Sequence, residues 1–318
     1  MKGTIKIFSL IIAILICITT SVLPAGADSS KALLIYWRGE TPCEMALKSG
    51  LKNLGLNIEL SEFDAEQDKG KLNNYLSSID EKKYAFIYTF GTTASLEAAK
   101  VIKLTPILFG IVTNPVQAGL IQSWESSGNN VTGVSHAVPY KDQVDFILQL
   151  GNFERIGILY DKNASNAQIA FDELKKLLGV KGIKIVGAPV TSEADLESGV
   201  KALADQKVDL VYLPSDSLII SKADSIIASL NNHKIPTYGA VESFMQKGAM
   251  AGIVSSYEMV GKALVEKAEK ILKGTPPSQI PSSHLPYDML TAVVNAKTAH
   301  KVEVSVPYEV LSQAKILE

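Results

Sequence analysis

An alternation that runs twice along this chain constrains its fold more than any other feature. Short apolar, β-rich runs are each followed by a longer segment with apolar residues at helical spacing. In the first half the pattern predicts strands at 32–36, 57–62, 85–89 and 106–110, with helices at 43–54, 69–79 and 93–100. It then restarts, with strands at 155–160, 184–188, 210–213 and 237–239 and helices at 164–178, 193–204 and 218–230. Strands that alternate with helices build βαβ units and a parallel sheet. The strand cores, such as Leu33-Leu34-Ile35-Tyr36, are apolar throughout, as a sheet covered by helices on both faces requires. A length of 318 residues, at roughly 100–200 residues per domain, gives two domains. The expected fold class is α/β, with two lobes of similar size. The tail is less regular. A helix at 259–272 stops at Lys273-Gly274. Pro276, Pro277, Pro281 and Pro286 mark a connector. A strand at 290–295 and a helix at 310–314 complete the prediction.

The N-terminus reads as an address. Lys2 and Lys6 give a cationic start, 7–23 is nearly all apolar, and Ala25-Gly26-Ala27 is a small-residue cleavage pattern. These are the three parts of a secretory signal peptide over 1–27. The alternative is an uncleaved anchor, but the run is short for a span and loses apolar character after Ile18. Cleavage removes both lysines and no acid, so the net charge falls from −2 to −4. It also removes Cys17, leaving Cys43 with no partner for an intramolecular disulfide. No later stretch is long and apolar enough to span a bilayer. The expected location is periplasmic or otherwise extracytoplasmic.

Charge narrows the partners. Lys and Arg total 31 against 33 Asp and Glu, and Arg38 and Arg155 are the only arginines. A nucleic-acid binder carries a basic excess in a clustered patch, so nucleic acid is excluded as a partner. Two cysteines and four scattered histidines offer no metal-ligand spacing.

In open parallel sheets, ligands bind beyond the carboxyl ends of the strands. The loops at those ends carry Trp37-Arg38-Gly39-Glu40, Phe90-Gly91-Thr92-Thr93, Ile111-Val112-Thr113-Asn114, Asp161 to Asn166, Pro214-Ser215-Asp216-Ser217 and Ala240-Val241-Glu242-Ser243. Hydroxyls, amides and a few carboxylates of this kind suit a small polar ligand. Thr93 is expected to cap the following helix, whose first N–H groups then either hold an anion or are merely capped. Asp216 and Glu242 either accept from a ligand ammonium or serve as N-terminal helix charges. Trp37 and Tyr160 either stack on a ligand or pack. Arg38 either clamps a carboxylate or lies in solvent.

Catalytic motifs are sparse. There is no phosphate loop, dinucleotide fingerprint or H-E-x-x-H. Gly133-Val134-Ser135-His136-Ala137 approximates a nucleophile elbow but lacks its final glycine, and Pro139 precedes any helix. Cys43 opens a helix without a partner histidine placed by sequence. No catalytic residue, cofactor or metal is expected.

A resemblance joins these loops. Gly91-Thr92-Thr93-Ala94-Ser95-Leu96-Glu97-Ala98-Ala99-Lys100, the run from Thr105 to Leu120 through Thr113-Asn114-Pro115, and Asn129-Asn130-Val131-Thr132-Gly133-Val134-Ser135 resemble ABC-transporter substrate-binding proteins of the tryptophan/tyrosine type. The likeness continues, in order, at Arg155-Ile156-Gly157-Ile158-Leu159-Tyr160, Tyr212-Leu213-Pro214-Ser215-Asp216, Lys247-Gly248-Ala249 and Ile271-Leu272-Lys273-Gly274. It implies a type I periplasmic-binding-protein fold, with two doubly wound parallel-sheet lobes joined by a three-crossing hinge. The crossings are expected near 136–140, 254–257 and 284–287. Lobe 1 would comprise 28–137 plus 257–285, and lobe 2 would comprise 138–256 plus 286–318. Ligand contacts carried over fall on Thr92, Thr93, Asn114, Asn166, Asp216, Glu242 and Ser243, and Trp37 and Tyr160 join them from the strand-end argument. Asn114 stands where relatives usually have Asp, and the loop Trp37 to Cys43 differs from the usual one. The implied role is a monomeric solute-binding protein. It would capture a small polar ligand, such as an aromatic or other amino acid, and deliver it to an ABC permease and its ATPase. A sensory protein that signals to a membrane receptor is the alternative on the same fold, and a secreted hydrolase is the alternative from another class.

Overall fold

The computed structural model describes residues 30–318, so the signal-peptide expectation for 1–27 lies outside the described residues. The chain begins β1 (Ser30–Tyr36), α1 (Pro42–Asn53), β2 (Ile58–Asp64), α2 (Lys69–Ser78), β3 (Phe86–Phe90), α3 (Gly91–Val101), β4 (Ile107–Gly110) and β5 (Val131–Ser135). It continues α4 (Tyr140–Leu150), β6 (Arg155–Asp161), α5 (Ser165–Gly179), β7 (Lys184–Val190), α6 (Leu196–Asp205), β8 (Leu210–Leu213), α7 (Ser217–Ser221) and α8 (Ala223–Asn232). Then come β9 (Thr237–Gly239), α9 (Glu242–Gln246), β10 (Ala251–Ser255), α10 (Tyr257–Leu272) and β11 (Ser283–His284). It ends β12 (Leu290–Asn295), α11 (Ala296–Lys301), α12 (Tyr308–Leu311) and β13 (Lys315–Leu317).

Two sheets result. The first has six strands in the order β11-β5-β4-β3-β1-β2, all parallel. The second has seven, β13-β12-β10-β9-β8-β6-β7, parallel except where β10 meets β12. The chain leaves the first sheet between β5 and α4, returns between β10 and α10, and crosses again between β11 and β12. This is the two-lobed α/β fold with three crossings.

Each sheet is buried on both faces. Leu34, Phe86, Tyr88 and Leu108 pack under α1 and α10, while Leu33, Ile35, Ile87 and Phe109 pack under α2 and α3. The second sheet divides its core residues between two faces in the same way. Alpha1 is strongly specified: Thr41 caps it in a reciprocal capping box with Glu44, and Pro42 occupies its first turn. Glu44 is buried, and its carboxylate also accepts from the Tyr88 hydroxyl.

Periodicity passed over β5, α4 and β10. Beta5 reads Val-Thr-Gly-Val-Ser, a loop-like string, yet all its residues are buried. The helix expected at 218–230 breaks at Lys222 into α7 and α8. The last helix is a single turn, Tyr308–Leu311, and β13 follows it.

Candidate functional site

The carboxyl ends of β1, β3 and β4 face the end of β8 and the start of α5 across a narrow cleft. Trp37, Arg38, Phe90, Thr92, Thr93 and Thr113 line it from the first lobe. Asn166, Ser215, Ser217 and Ile220 line it from the second. The lobes touch at both sides of this cleft. Gln117 Nε2 donates to Glu173 Oε1 at 3.1 Å, and His136 Nε2 lies 2.9 Å from Ser215 Oγ. About 20 Å³ of room remains between them, the space of roughly one water.

The first-lobe wall centres on the start of α3. Alpha3 starts at Gly91, two residues before the expected cap, with Phe90 in the N-cap position and no side-chain cap bond. Thr93 is therefore a first-turn residue that lines the cleft, not the cap. Gly91 takes φ 83, which only glycine adopts without strain. The uncapped N–H groups and the helix dipole make this end locally positive. Thr92 Oγ1 is buried without a partner beside it. Arg38 holds its guanidinium over the Phe90 ring, 5.2 Å from the centroid, and its Nε is buried and unpaired. Ile111, also on the cleft, is β-branched at φ 57, a strained backbone of the kind that collects at binding sites.

A second group extends this wall toward the crossings. His136 is buried, stands edge-on to Tyr257 with centroids 5.5 Å apart, and has no partner at Nδ1. Tyr257 Oη and Ser243 Oγ are buried without partners. Glu242 Oε2 accepts from the Tyr257 N–H at 3.4 Å. Of nine such unpaired buried atoms among the described residues, five belong to Arg38, Thr92, His136, Ser243 and Tyr257. Folded interiors leave few polar atoms unpaired; of these five residues Arg38 and Thr92 line the cleft, and His136 adjoins it through Ser215.

His136 is held neutral. Burial first, then the Arg38 guanidinium, lowers its pKa to about 3. Arg38 and Tyr257 are the ionisable groups beside it, and no carboxylate bonds to it. The folded chain thus binds fewer protons here than the unfolded chain, whose imidazole titrates near 6.5. Stability is therefore full above about pH 6.5 and falls as pH drops toward 3, by up to ~1.4 kcal/mol per pH unit. Urea unfolding at pH 7 and pH 5 should show the wild type losing about 2 kcal/mol more than His136→Gln. Equal losses would contradict a neutral buried His136.

The structure separates the residues singled out by sequence. Trp37, Thr92, Thr93 and Asn166 line the cleft, and the Asn166 side chain donates to the Ser215 carbonyl. Glu242 contacts the Tyr257 N–H, and Ser243 follows it in α9; neither lines the cleft. Asn114 turns away and pairs with Gln117, lining a neighbouring chamber instead. Tyr160 stacks on Phe171 at 5.1 Å and belongs to the second lobe's core. Asp216 is wholly buried; it accepts from the N–H groups of Asp161 at 2.6 Å, Leu218 at 2.9 Å and Ile219 at 3.2 Å. It caps α7 and ties it to β6, with no surface left for an ammonium. Burial pushes its carboxyl up to about 6, against the pull of those N–H groups. Asp216→Ala should cost about 2–4 kcal/mol in denaturant unfolding, because three buried acceptor contacts, two of them the α7 cap, vanish together. An unchanged midpoint would rule out this bracing role. Ser215, Ser217 and Arg38 lay in loops the sequence marked, but which of their side chains faces inward follows from lobe approach.

The elbow-like Ser135 donates to the Thr113 carbonyl, while His136 pairs with Ser215. Cys43 is buried 3.7 Å from the Tyr88 hydroxyl, and burial pushes its thiol pKa up.

Comparison with known proteins gives a consistent picture. The sequence profile of a family described as "ABC transporter substrate binding protein" matches residues 43–317. A curated tyrosine-binding protein from Clostridioides difficile is 27% identical over 245 residues, 77% of this chain and 70% of its own. A conserved domain protein from Vibrio cholerae, 25% identical, superposes with a TM-score of 0.86 over 92% of this chain and all of its own. An ABC domain from Streptococcus pneumoniae in complex with L-Trp, 23% identical, gives 0.84 over 92% of this chain and 100% of its own. The ligand-free, open structure of a substrate-binding protein with adhesive properties from Clostridium difficile, 25% identical, gives 0.67 over 91% of this chain and 99% of its own.

Proposed function

This chain belongs to the ABC transporter substrate-binding protein family, and from that premise we propose that it is an extracytoplasmic receptor for an aromatic amino acid. It would take the ligand between its lobes and deliver it to an ABC permease and its ATPase. The unpaired Thr92 Oγ1 and Arg38 Nε beside the uncapped α3 start carry this reading. A ligand carboxylate fits the α3 N–H groups, the Thr92 hydroxyl and Arg38. A ligand ammonium fits Glu242, whose second carboxylate oxygen has no partner among the described residues. The tyrosine-binding relative supports the amino-acid class, and the L-Trp complex shares the fold. The better superposition on the L-Trp complex than on the ligand-free open structure supports a closed arrangement of the lobes. The family and its tyrosine-binding member are described by binding, which favours capture over turnover.

Closure follows from the position of the site. Both lobes contribute to one cleft, so a ligand that contacts both binds the closed state better and shifts the population toward it. No helix among the described residues is long and apolar enough to cross a membrane. Thermal unfolding against the twenty amino acids tests the reading. A ligand at 100 times its dissociation constant adds roughly 2.7 kcal/mol of stability. The expected result is a shift with tyrosine, tryptophan or phenylalanine; no shift with any amino acid would overturn the proposal.

A further inference from the structure

The first lobe has a second face, at the amino ends of its strands and opposite the cleft. Beta1 spans seven residues, so at roughly 3.3 Å per residue this face lies about 20 Å from the cleft. The turns before β2, β3 and β4 meet there and are tied in series. The Ser30 N–H donates to the Asn57 carbonyl at 3.0 Å, and the Ala85 N–H donates to the Lys31 carbonyl at 2.7 Å. Glu81 accepts from the N–H groups of Leu104 and Thr105, both at 2.9 Å. Alpha1 and α3 end on the same side, since each runs back along the parallel strands that it links.

Three large apolar side chains stand out from these turns. Leu104 is 68% exposed, Val101 47% and Leu56 46%. Lysines surround them: Lys52 in the last turn of α1, Lys82 and Lys83 in the turn before β3, and Lys103 beside Leu104. The carboxylates of these turns are already engaged. Glu59 pairs with Lys31, Asp80 with Lys83, and Glu81 with the backbone N–H groups. Lys52, Lys82 and Lys103 form no ion pair among the described residues, and Lys103 Nζ reaches the Ala99 carbonyl at 2.6 Å. The face is thus cationic in a chain whose net charge is −2. A lysine that balances a helix dipole accounts for Lys52. It accounts for neither Lys82 and Lys103 nor the three exposed apolar side chains.

The geometry points to this face as a contact for an anionic bilayer surface. Its lysines meet lipid phosphates, and Leu56, Val101 and Leu104 enter the boundary between headgroups and acyl chains. Apolar side chains ringed by lysines match both layers of such a surface, whereas a soluble polyanion leaves the apolar ones without a partner. Connectivity favours the same occupant. Ser30 opens β1 on this face, so the apolar run 7–23 joins the fold here and not at the cleft. The second lobe turns its corresponding end the other way, because both lobes present strand carboxyl ends to one cleft. Docked so, the first lobe rests on the membrane, the cleft stays clear of the lipid, and the second lobe stays free to move. The assignment does not depend on which solute the cleft takes.

The test uses the chain from Asp28, the mature form expected from the cleavage pattern, which holds every described strand and helix. Without 7–23, that run cannot bind by itself. Sedimentation reads binding to vesicles of phosphatidylcholine alone and of phosphatidylcholine mixed with phosphatidylglycerol. Dextran sulfate serves as a soluble polyanion, and circular dichroism is the folding control. The wild type should bind the mixed vesicles and not the neutral ones, and salt should weaken that binding. Lys52→Gln, Lys82→Gln and Lys103→Gln together should weaken it roughly a hundredfold. Leu56→Ser with Leu104→Ser should weaken it about tenfold and leave dextran sulfate binding unchanged. The same removal of charge from exposed turns and helix ends of the second lobe, Lys176→Gln, Lys181→Gln and Lys207→Gln, should change nothing. No binding to mixed vesicles, equal binding to neutral ones, or an equal loss in the second-lobe variant would overturn the assignment. Vesicle binding indifferent to both leucines would overturn it in favour of a soluble polyanion.

Discussion

Arg38→Gln should lower ligand affinity by roughly ten- to a hundredfold, the worth of a charge-assisted hydrogen bond of about 1.5–3 kcal/mol. Arg38 is one of two arginines in the chain, and it supplies the cation on the cleft lining. Its guanidinium is fixed over Phe90 and its Nε is unpaired, so little ordering remains to be done when a carboxylate arrives. Glutamine keeps a donor but loses the charge and the fork. Lysine should rescue only part of the loss, because a point charge cannot repeat the planar bidentate geometry. Stability should hardly move, since no protein carboxylate pairs with Arg38 among the described residues. Calorimetric titration of the variant reads the effect directly. An unchanged dissociation constant would remove Arg38 from the carboxylate site.

The largest loss of stability should come from Gly261→Leu. Alpha1 and α10 cross so closely that a Cβ at Gly261 would lie 2.1 Å from the Cys43 carbonyl oxygen and 2.8 Å from the Ala46 Cβ. The obstacle is backbone on one side and a short methyl on the other, so no side-chain rotation relieves it. The helices must separate, which loosens Val260 and Leu264 against the first sheet's core. Overpacking alone costs typically about 1–3 kcal/mol, and the bulk of leucine adds lost burial elsewhere. A drop of more than about 3 kcal/mol in urea unfolding is expected, with Gly261→Ala intermediate. Wild-type stability in the leucine variant would show that the crossing is not tight. Because α10 begins at Tyr257, beside His136 and Glu242, the same change should also disturb the cleft.

The two lobes were legible because most of their strands are continuously apolar and their helices amphipathic. Beta1, β3, β6 and β8 announce themselves in this way. The elements beside the crossings did not. Beta5 and β10 mix small and polar residues with valine and isoleucine, and their strand character comes from burial between neighbours. The loops at the strand ends could be found because a parallel sheet presents its ligand there. The facing of individual side chains could not be found from sequence. Thr93 read as a cap, yet α3 starts at Gly91 because glycine can take the left-handed turn. Asp216 read equally as ammonium acceptor or helix charge, and three backbone N–H groups decide for the latter. Tyr160 and Asn114 face away from the cleft for local reasons: a stack on Phe171 and a turn closed by Gln117. The role of Arg38 depends on lobe approach, which periodicity does not encode.

The measurement that bears most directly on the whole account is calorimetric titration of the folded chain with L-tyrosine and L-tryptophan, in wild type and in a Thr92→Val, Arg38→Gln double variant. The account predicts saturable one-site binding of at least one of them to the wild type, with a negative heat-capacity change from buried apolar surface. It predicts that the double variant, still folded, loses that binding. Absence of saturable binding in the wild type, or binding indifferent to both substitutions, would contradict capture of an amino acid at the α3 end of the cleft.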